Sequence, residues 1–195
     1  MNNKGAIIFV EGQTDYCFVD KMSNFLIEKN NDRQKVDKII IKNLQGNGNF
    51  QNKAARFFKS QCAKYPNLLL NTICLYDTDA FDMSRKPPVN WPNVMKKLRD
   101  EGAGSVDEIK VRQMIEDWFL IDKVGLCKFL QLDPKRARSI SGKDGNEKMK
   151  MLFRKKGKIY QKGSYCYDFL PCLDLSKIYS NKKAELVKLE NIIFY

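Results

Sequence analysis

Short apolar runs alternate along the chain with segments of helical period. Ala6 to Val10 is continuously apolar and ends at Glu11-Gly12, the pattern of a strand buried on both faces of a parallel sheet. Thr14 is placed to cap a helix opening at Asp15, where Phe18, Val19, Met22, Phe25 and Leu26 form one stripe before the polar stretch 29–33. The cycle then repeats. Residues 36–42 read as a second strand centred on Ile39-Ile40-Ile41, residues 45–49 as a glycine/asparagine loop, and 50–65 as a helix with Phe57 and Phe58 inward, stopped by Pro66. A third strand over 71–76 runs into Asp77-Thr78-Asp79. A helix over 91–100 and a strand over 106–111 follow, so the pattern predicts a doubly wound α/β fold with a mainly parallel four-stranded sheet flanked by helices.

Beyond residue 112 the pattern becomes helical, with segments predicted over 114–132, 147–155 and 184–193. We therefore divide the chain into an α/β domain, 1–112, and a helical, basic C-terminal extension, 113–195, packed on the same core. A length of 195 residues with 43% hydrophobic positions suits one compact domain with an appendage and excludes a multidomain machine. No apolar run approaches the ~20 residues needed to span a bilayer. The expectation is a soluble, cytoplasmic, unprocessed protein without a membrane partner, its six cysteines free and lacking any CxxC pair.

Charge narrows the partner. There are 35 Lys+Arg against 23 Asp+Glu, a net charge of +12. Eleven basic residues against two acidic fall within 135–165, so nine of the twelve net charges lie there. Lys135, Arg136, Arg138, Lys143, Lys155, Lys156, Lys158 and Lys162 are the candidates for gripping a nucleic-acid backbone, set against the alternative of a solvated helical face. Histidine is absent, which excludes Ser-His-Asp, Cys-His and HExxH chemistry. Catalysis must then run on carboxylates, lysines, tyrosines, thiols or bound metal.

In open parallel sheets, ligands bind beyond the carboxyl ends of the strands, where strand order reverses. Both acidic motifs occupy such ends. If the first and third strands are neighbours, Glu11, Asp77 and Asp79 converge, and oxygen ligands without imidazole or thiolate select Mg²⁺ or Mn²⁺. A carboxylate cluster repels phosphate, so it serves a phosphodiester only through bridging cations.

Val10-Glu11-Gly12 with Thr14-Asp15, followed by Leu75-Tyr76-Asp77-Thr78-Asp79, resembles the Toprim domain of topoisomerases, DnaG-type primases, ribonuclease M5 and OLD-type nucleases. The resemblance covers about residues 4–111. It implies that Glu11, Asp77 and Asp79 organise Mg²⁺ for phosphodiester chemistry, with Asp15 an accessory metal ligand. Asp82 stands where a glycine often follows in primases and topoisomerases, and no zinc-binding module is present, which leaves a small stand-alone protein similar to ribonuclease M5 or the OLD nuclease half. Glu116-Asp117-Trp118-Phe119-Leu120-Ile121-Asp122 is similar to a Glu-x-Trp-x-x-x-Asp stretch of small Toprim families and Toprim-containing defence proteins. That likeness implies a catalytic Glu116 facing the metal site. Residues 158–168, with Tyr160, Lys162 and Gly163, are expected to set a catalytic cation, Lys162, near the scissile phosphate.

Plainer readings stand beside these. Asp15 and Glu116 are acids at helix starts, which the macrodipole favours without any metal. Tyr160, Tyr165 and Tyr167 suit either base stacking or the core. The sequence thus points to a Mg²⁺-dependent (or Mn²⁺-dependent) nuclease acting on DNA or RNA. The alternatives are a non-catalytic nucleic-acid-binding Toprim module, or an antiphage or toxin-like effector whose partner ATPase must be another chain, since no Walker A motif is present. A homodimer is compatible with each.

Overall fold

A computed structural model of the chain describes residues 3–78, 89–137 and 140–194. Strands β1 (Asn3–Val10), β2 (Lys38–Asn43), β3 (Leu68–Asp77) and β4 (Val106–Val111) form one all-parallel sheet ordered β2-β1-β3-β4. Parallel neighbours need crossovers. Helices α1 (Gln13–Lys29), α2 (Ala55–Lys64) and α3 (Trp91–Asp100) supply them, giving the α/β class that the alternation predicts.

Both faces of the sheet are covered, which is why the central strands read as unbroken apolar runs. Ala6, Ile8 and Val10 join Ile73, Leu75, Ile109 and Val111 in a core with Phe18, Met22 and Leu26 of α1. Ile7 and Phe9 point the other way, into a second core with Leu70, Cys74, Tyr76, Phe58 of α2, and Val94 and Leu98 of α3. Within that second core the Tyr76 and Trp91 rings stack at a centroid distance of 3.5 Å.

The chain past β4 forms α4 (Glu116–Phe119), α5 (Lys123–Leu130), α6 (Gly145–Arg154), α7 (Cys166–Phe169), α8 (Leu175–Asn181) and α9 (Lys183–Ile193). These helices share the core of the α1 face: Trp118, Phe153, Tyr160, Phe169 and Leu186 are buried in the same cluster as Ile8 and Phe18. Phe18 meets Trp118 edge-on at 5.5 Å and Phe119 at 5.9 Å.

Several local expectations are corrected. Helix α1 opens at Gln13 with Gly12 as its extended N-cap, and Asp15 accepts the Gly12 N–H at 3.0 Å, so Thr14 is not the cap. Strand β3 starts at Leu68, ahead of the predicted 71, and β2 starts at Lys38 because Val36 instead donates its N–H to the Ile193 carbonyl at 2.9 Å. A single π turn, Phe50–Ala54, precedes α2. The continuous helix predicted over 114–132 is broken at Asp122 (φ −110°, ψ 68°), whose carboxylate accepts the Asp174 N–H at 2.9 Å and faces Lys177 Nζ at 3.4 Å. A side chain recruited to pin α8 ends one helix and starts the next.

Strand order reverses between β1 and β3. The chain leaves β1 through α1 to reach β2 on one side, while β3 pairs with β1 on the other, Val10 opposite Leu75. A crevice at such a switch point is where open α/β sheets place their ligands.

Candidate acid cluster at the strand switch point

Glu11 follows the last residue of β1, and Asp77 is the last residue of β3. With those strands paired in parallel register, both acids emerge at the same sheet edge. Past Asp77 the Thr78 N–H donates to the Val111 carbonyl at 3.0 Å, and the Gln113 N–H donates to Thr78 Oγ1 at 3.0 Å. This lacing holds the end of β4 against the end of β3 and starts α4 beside the switch point. Glu116, the first residue of α4, is wholly buried.

Asp15 reaches the crevice from the first turn of α1, where its Oδ2 accepts the Gly12 N–H and its Oδ1 is buried with no hydrogen-bond partner among the described residues. Asp77 Oδ1 is in the same condition. Buried carboxylate oxygens without donors are costly unless a charge compensates them. The electrostatics register that cost. Burial, followed by repulsion from Glu11 and Glu116, pushes the Asp15 carboxyl up to about 7. Burial and then the Asp15 charge push Asp77 up to about 9, with Lys162 opposing and Glu116 and Glu11 adding to the rise. Glu116 is raised by burial, against the pull of Lys162.

The C-terminal extension supplies the cation. Lys162 Nζ lies 3.7 Å from Asp77 Oδ2 and 3.9 Å from Glu116 Oε2. Its backbone is fixed on both sides: the Tyr160 hydroxyl donates to Glu116 Oε1 at 3.0 Å, and the Gly163 N–H donates to Thr14 Oγ1 at 2.7 Å. Gly163 has φ +83°, and a Cβ there would stand 3.0 Å from Gln13 Cβ, so this approach favours glycine. Tyr160 is a buried core residue whose hydroxyl orients an acid of the cluster, and its own proton is held more tightly by burial and by Glu116.

The structure thus brings together Glu11, Asp15, Asp77, Glu116 and Lys162, drawn from the residue after β1, from α1, β3 and α4, and from the segment before α7. Asp79, and Asp82 beyond it, lie outside the described residues. Among the described residues, no three acid, thiol or imidazole side chains are arranged as they stand to hold a metal ion. The chemistry of the donor set nonetheless fits a hard divalent cation: the ligands are all carboxylate oxygens, and Asp15 Oδ1 and Asp77 Oδ1 are buried and lack donors. Thr14, expected as a helix cap, and Tyr160, expected beside Lys162 but as a base-stacking or core ring, contribute roles the sequence does not assign them. An aromatic amid basic residues and a threonine at a helix start carry no local mark of these roles.

Of the basic candidates, Lys135 is exposed on the turn Pro134–Ala137, and Lys156 and Lys158 are exposed just past α6. Lys155 caps the end of α6 and is half-buried. Lys143 pairs with Glu147 at 3.4 Å. Lys158 stands over the rings of Tyr165 and Phe129 at 5.3 and 5.6 Å, leaving Tyr165 and Tyr167 partly exposed. Arg138 and the Arg136 side chain lie outside the described residues.

No helix among the described residues is long and apolar enough to cross a membrane. No family model matches the chain, and no curated protein or solved structure matches it either.

Proposed function

We propose that this chain is a divalent-metal-dependent nuclease of the Toprim type, hydrolysing phosphodiester bonds of DNA or RNA. The observation that carries the reading is the convergence of four carboxylates, from the end of β1, α1, β3 and α4, on the β1/β3 switch point, which among the described residues the ammonium of Lys162 compensates only in part. A cation of higher charge would compensate such a cluster more fully.

Glu11, Asp15 and Asp77 would hold Mg²⁺ or Mn²⁺, with Asp79 joining them by the Toprim resemblance. When bound, such an ion supplies Lewis-acid polarisation of a phosphoryl oxygen and activation of water. Glu116, held by the Tyr160 hydroxyl and within ion-pair range of Lys162, would accept a proton from attacking water. Lys162, half exposed beside Asp77, would bring its positive charge to where negative charge develops on the phosphate. The exposed lysines 135, 156 and 158 on the same extension would grip the backbone without reading base edges. Free thiols at all six cysteines suit a reducing, cytoplasmic setting.

One observation favours a second reading. Lys162 already bridges Asp77 and Glu116, as expected if the cluster were neutralised internally and the chain were a non-catalytic nucleic-acid-binding module, or an effector awaiting a partner ATPase. The two are separated by incubating the purified protein with duplex DNA, single-stranded DNA, transfer RNA and ribosomal-RNA precursor in Mg²⁺, Mn²⁺ or EDTA. Cleavage confined to the metal lanes supports the nuclease. Salt-sensitive binding that is indifferent to EDTA and never leads to cleavage supports the module.

A further inference from the structure

The ammonium of Lys162 reaches its acids from solvent: the lysine side chain is 47% exposed, whereas those of Asp77 and Glu116 are 6% and 0% exposed. At 3.7 and 3.9 Å it is within ion-pair range of both and beyond good hydrogen-bond length to either. The chain on either side of it is held through the Tyr160 hydroxyl and the Gly163 N–H, while its own side chain is about half exposed. A lysine head carries one charge and three donors. It leaves Asp15 Oδ1 and Asp77 Oδ1 buried without hydrogen bonds among the described residues, which a divalent ion with several oxygen ligands would satisfy.

We propose that Lys162 is a resident counter-cation of the acid cluster and competes with a divalent ion for Asp77, swinging out toward solvent and away from Asp77 and Glu116 when the ion enters. The site then trades ion affinity for a folded, partly neutralised state without the ion. Its ammonium is also released only when the ion is in place. The inference rests on the metal-dependent reading above and adds to it the regulation of ion entry by the chain's own lysine.

The test is Mn²⁺ binding followed by titration calorimetry, with no nucleic acid present, in the full-length wild type, Lys162→Met, Lys162→Gln, Lys150→Met and Asp77→Asn. Lys150 is exposed on α6 and pairs with none of the cluster acids, so it controls for a general change of field. The expected result is Mn²⁺ bound roughly fivefold tighter or more in both Lys162 variants, the scale of a partly exposed ion pair, with Lys150→Met like the wild type and binding lost in Asp77→Asn. Mn²⁺ bound no more tightly by either Lys162 variant than by the wild type overturns the competition and leaves the metal site standing. Equal tightening in Lys150→Met, or binding indifferent to Asp77→Asn, also overturns it. Absence of Mn²⁺ binding in the wild type and in both Lys162 variants overturns the competition and the metal-dependent reading together.

Discussion

The Gly163 N–H donates to Thr14 Oγ1 at 2.7 Å, joining residues 149 positions apart and anchoring the C-terminal extension to the first turn of α1. This bond sets the height of Lys162 over Asp77. Thr14→Val keeps the shape and removes the acceptor, stranding a part-buried donor at a cost of about 1–3 kcal/mol, while Thr14→Ser is expected to restore stability. Gly163→Ala is expected to cost about 1–2 kcal/mol because it forces a side chain into the left-handed region. Urea denaturation checks both; a Thr14→Val protein as stable as wild type would show that the bond contributes nothing.

The Tyr160–Glu116 pair is buried and charge-assisted. Tyr160→Phe fills the same space and leaves Glu116 Oε1 without its donor. We expect a loss of about 1.5–3 kcal/mol in unfolding free energy. A loss near zero would mean that Glu116 is neutral in the fold or finds a replacement donor.

The acid cluster gives the apo protein an inverted pH profile. The carboxyls of Asp15 and Asp77, near 7 and 9 in the fold against an ordinary 3.8, bind more protons folded than unfolded throughout the interval between those values. Their contribution to stability is therefore complete below about pH 4 and is lost as pH rises through 7 and toward 9. Urea midpoints of metal-free protein should fall from about pH 5 to about pH 9, and the fall should shrink in Asp77→Asn, where one of the titrating groups is gone. Added Mg²⁺ should flatten the profile. An Asp77→Asn profile superposable on wild type would show that Asp77 is ionised across the range.

Much of this arrangement is legible in residue order because its determinants are local. The Ala-Ile-Ile-Phe-Val run of β1 announces burial on both faces, and acids placed immediately past β1 and at the end of β3 must meet once those strands pair in register. The break at Asp122 is not legible, since apolar periodicity continues across it and its cause lies in Asp174 and Lys177, more than fifty residues away. Thr14 misleads for a related reason: threonine before an acid looks like a cap, but Gly12 takes that place and leaves the hydroxyl for Gly163. Lys162 is legible as a cation for the site, although the clamp that delivers it through Tyr160 and Gly163 exists only in three dimensions.

Lys156 and Lys158, exposed just past α6, together with the half-buried Lys155 at its end, offer a separate test of the backbone grip. Changing Lys155, Lys156 and Lys158 together to Ser should weaken duplex binding at low salt and flatten the log–log salt slope by roughly 0.9 for each phosphate no longer neutralised, up to about 2.7. Fluorescence anisotropy over a salt series measures it. An unaltered slope would assign the basic run to a solvated face.

The central claim is that the acids at the β1/β3 switch point make and hold a metal-dependent phosphodiester site. The most direct measurement is the cleavage rate and the nucleic-acid affinity of Asp77→Asn beside wild type in Mg²⁺, on whichever substrate the wild type cuts. Asparagine keeps the shape of a side chain that is 4% exposed and removes only its capacity to ionise, so the fold should hold. The expected result is cleavage reduced by at least about a hundredfold, the scale of losing one charge-stabilising group, with affinity nearly unchanged. Undiminished cleavage in Asp77→Asn, at equal affinity, would contradict the assignment of this cluster as the active site.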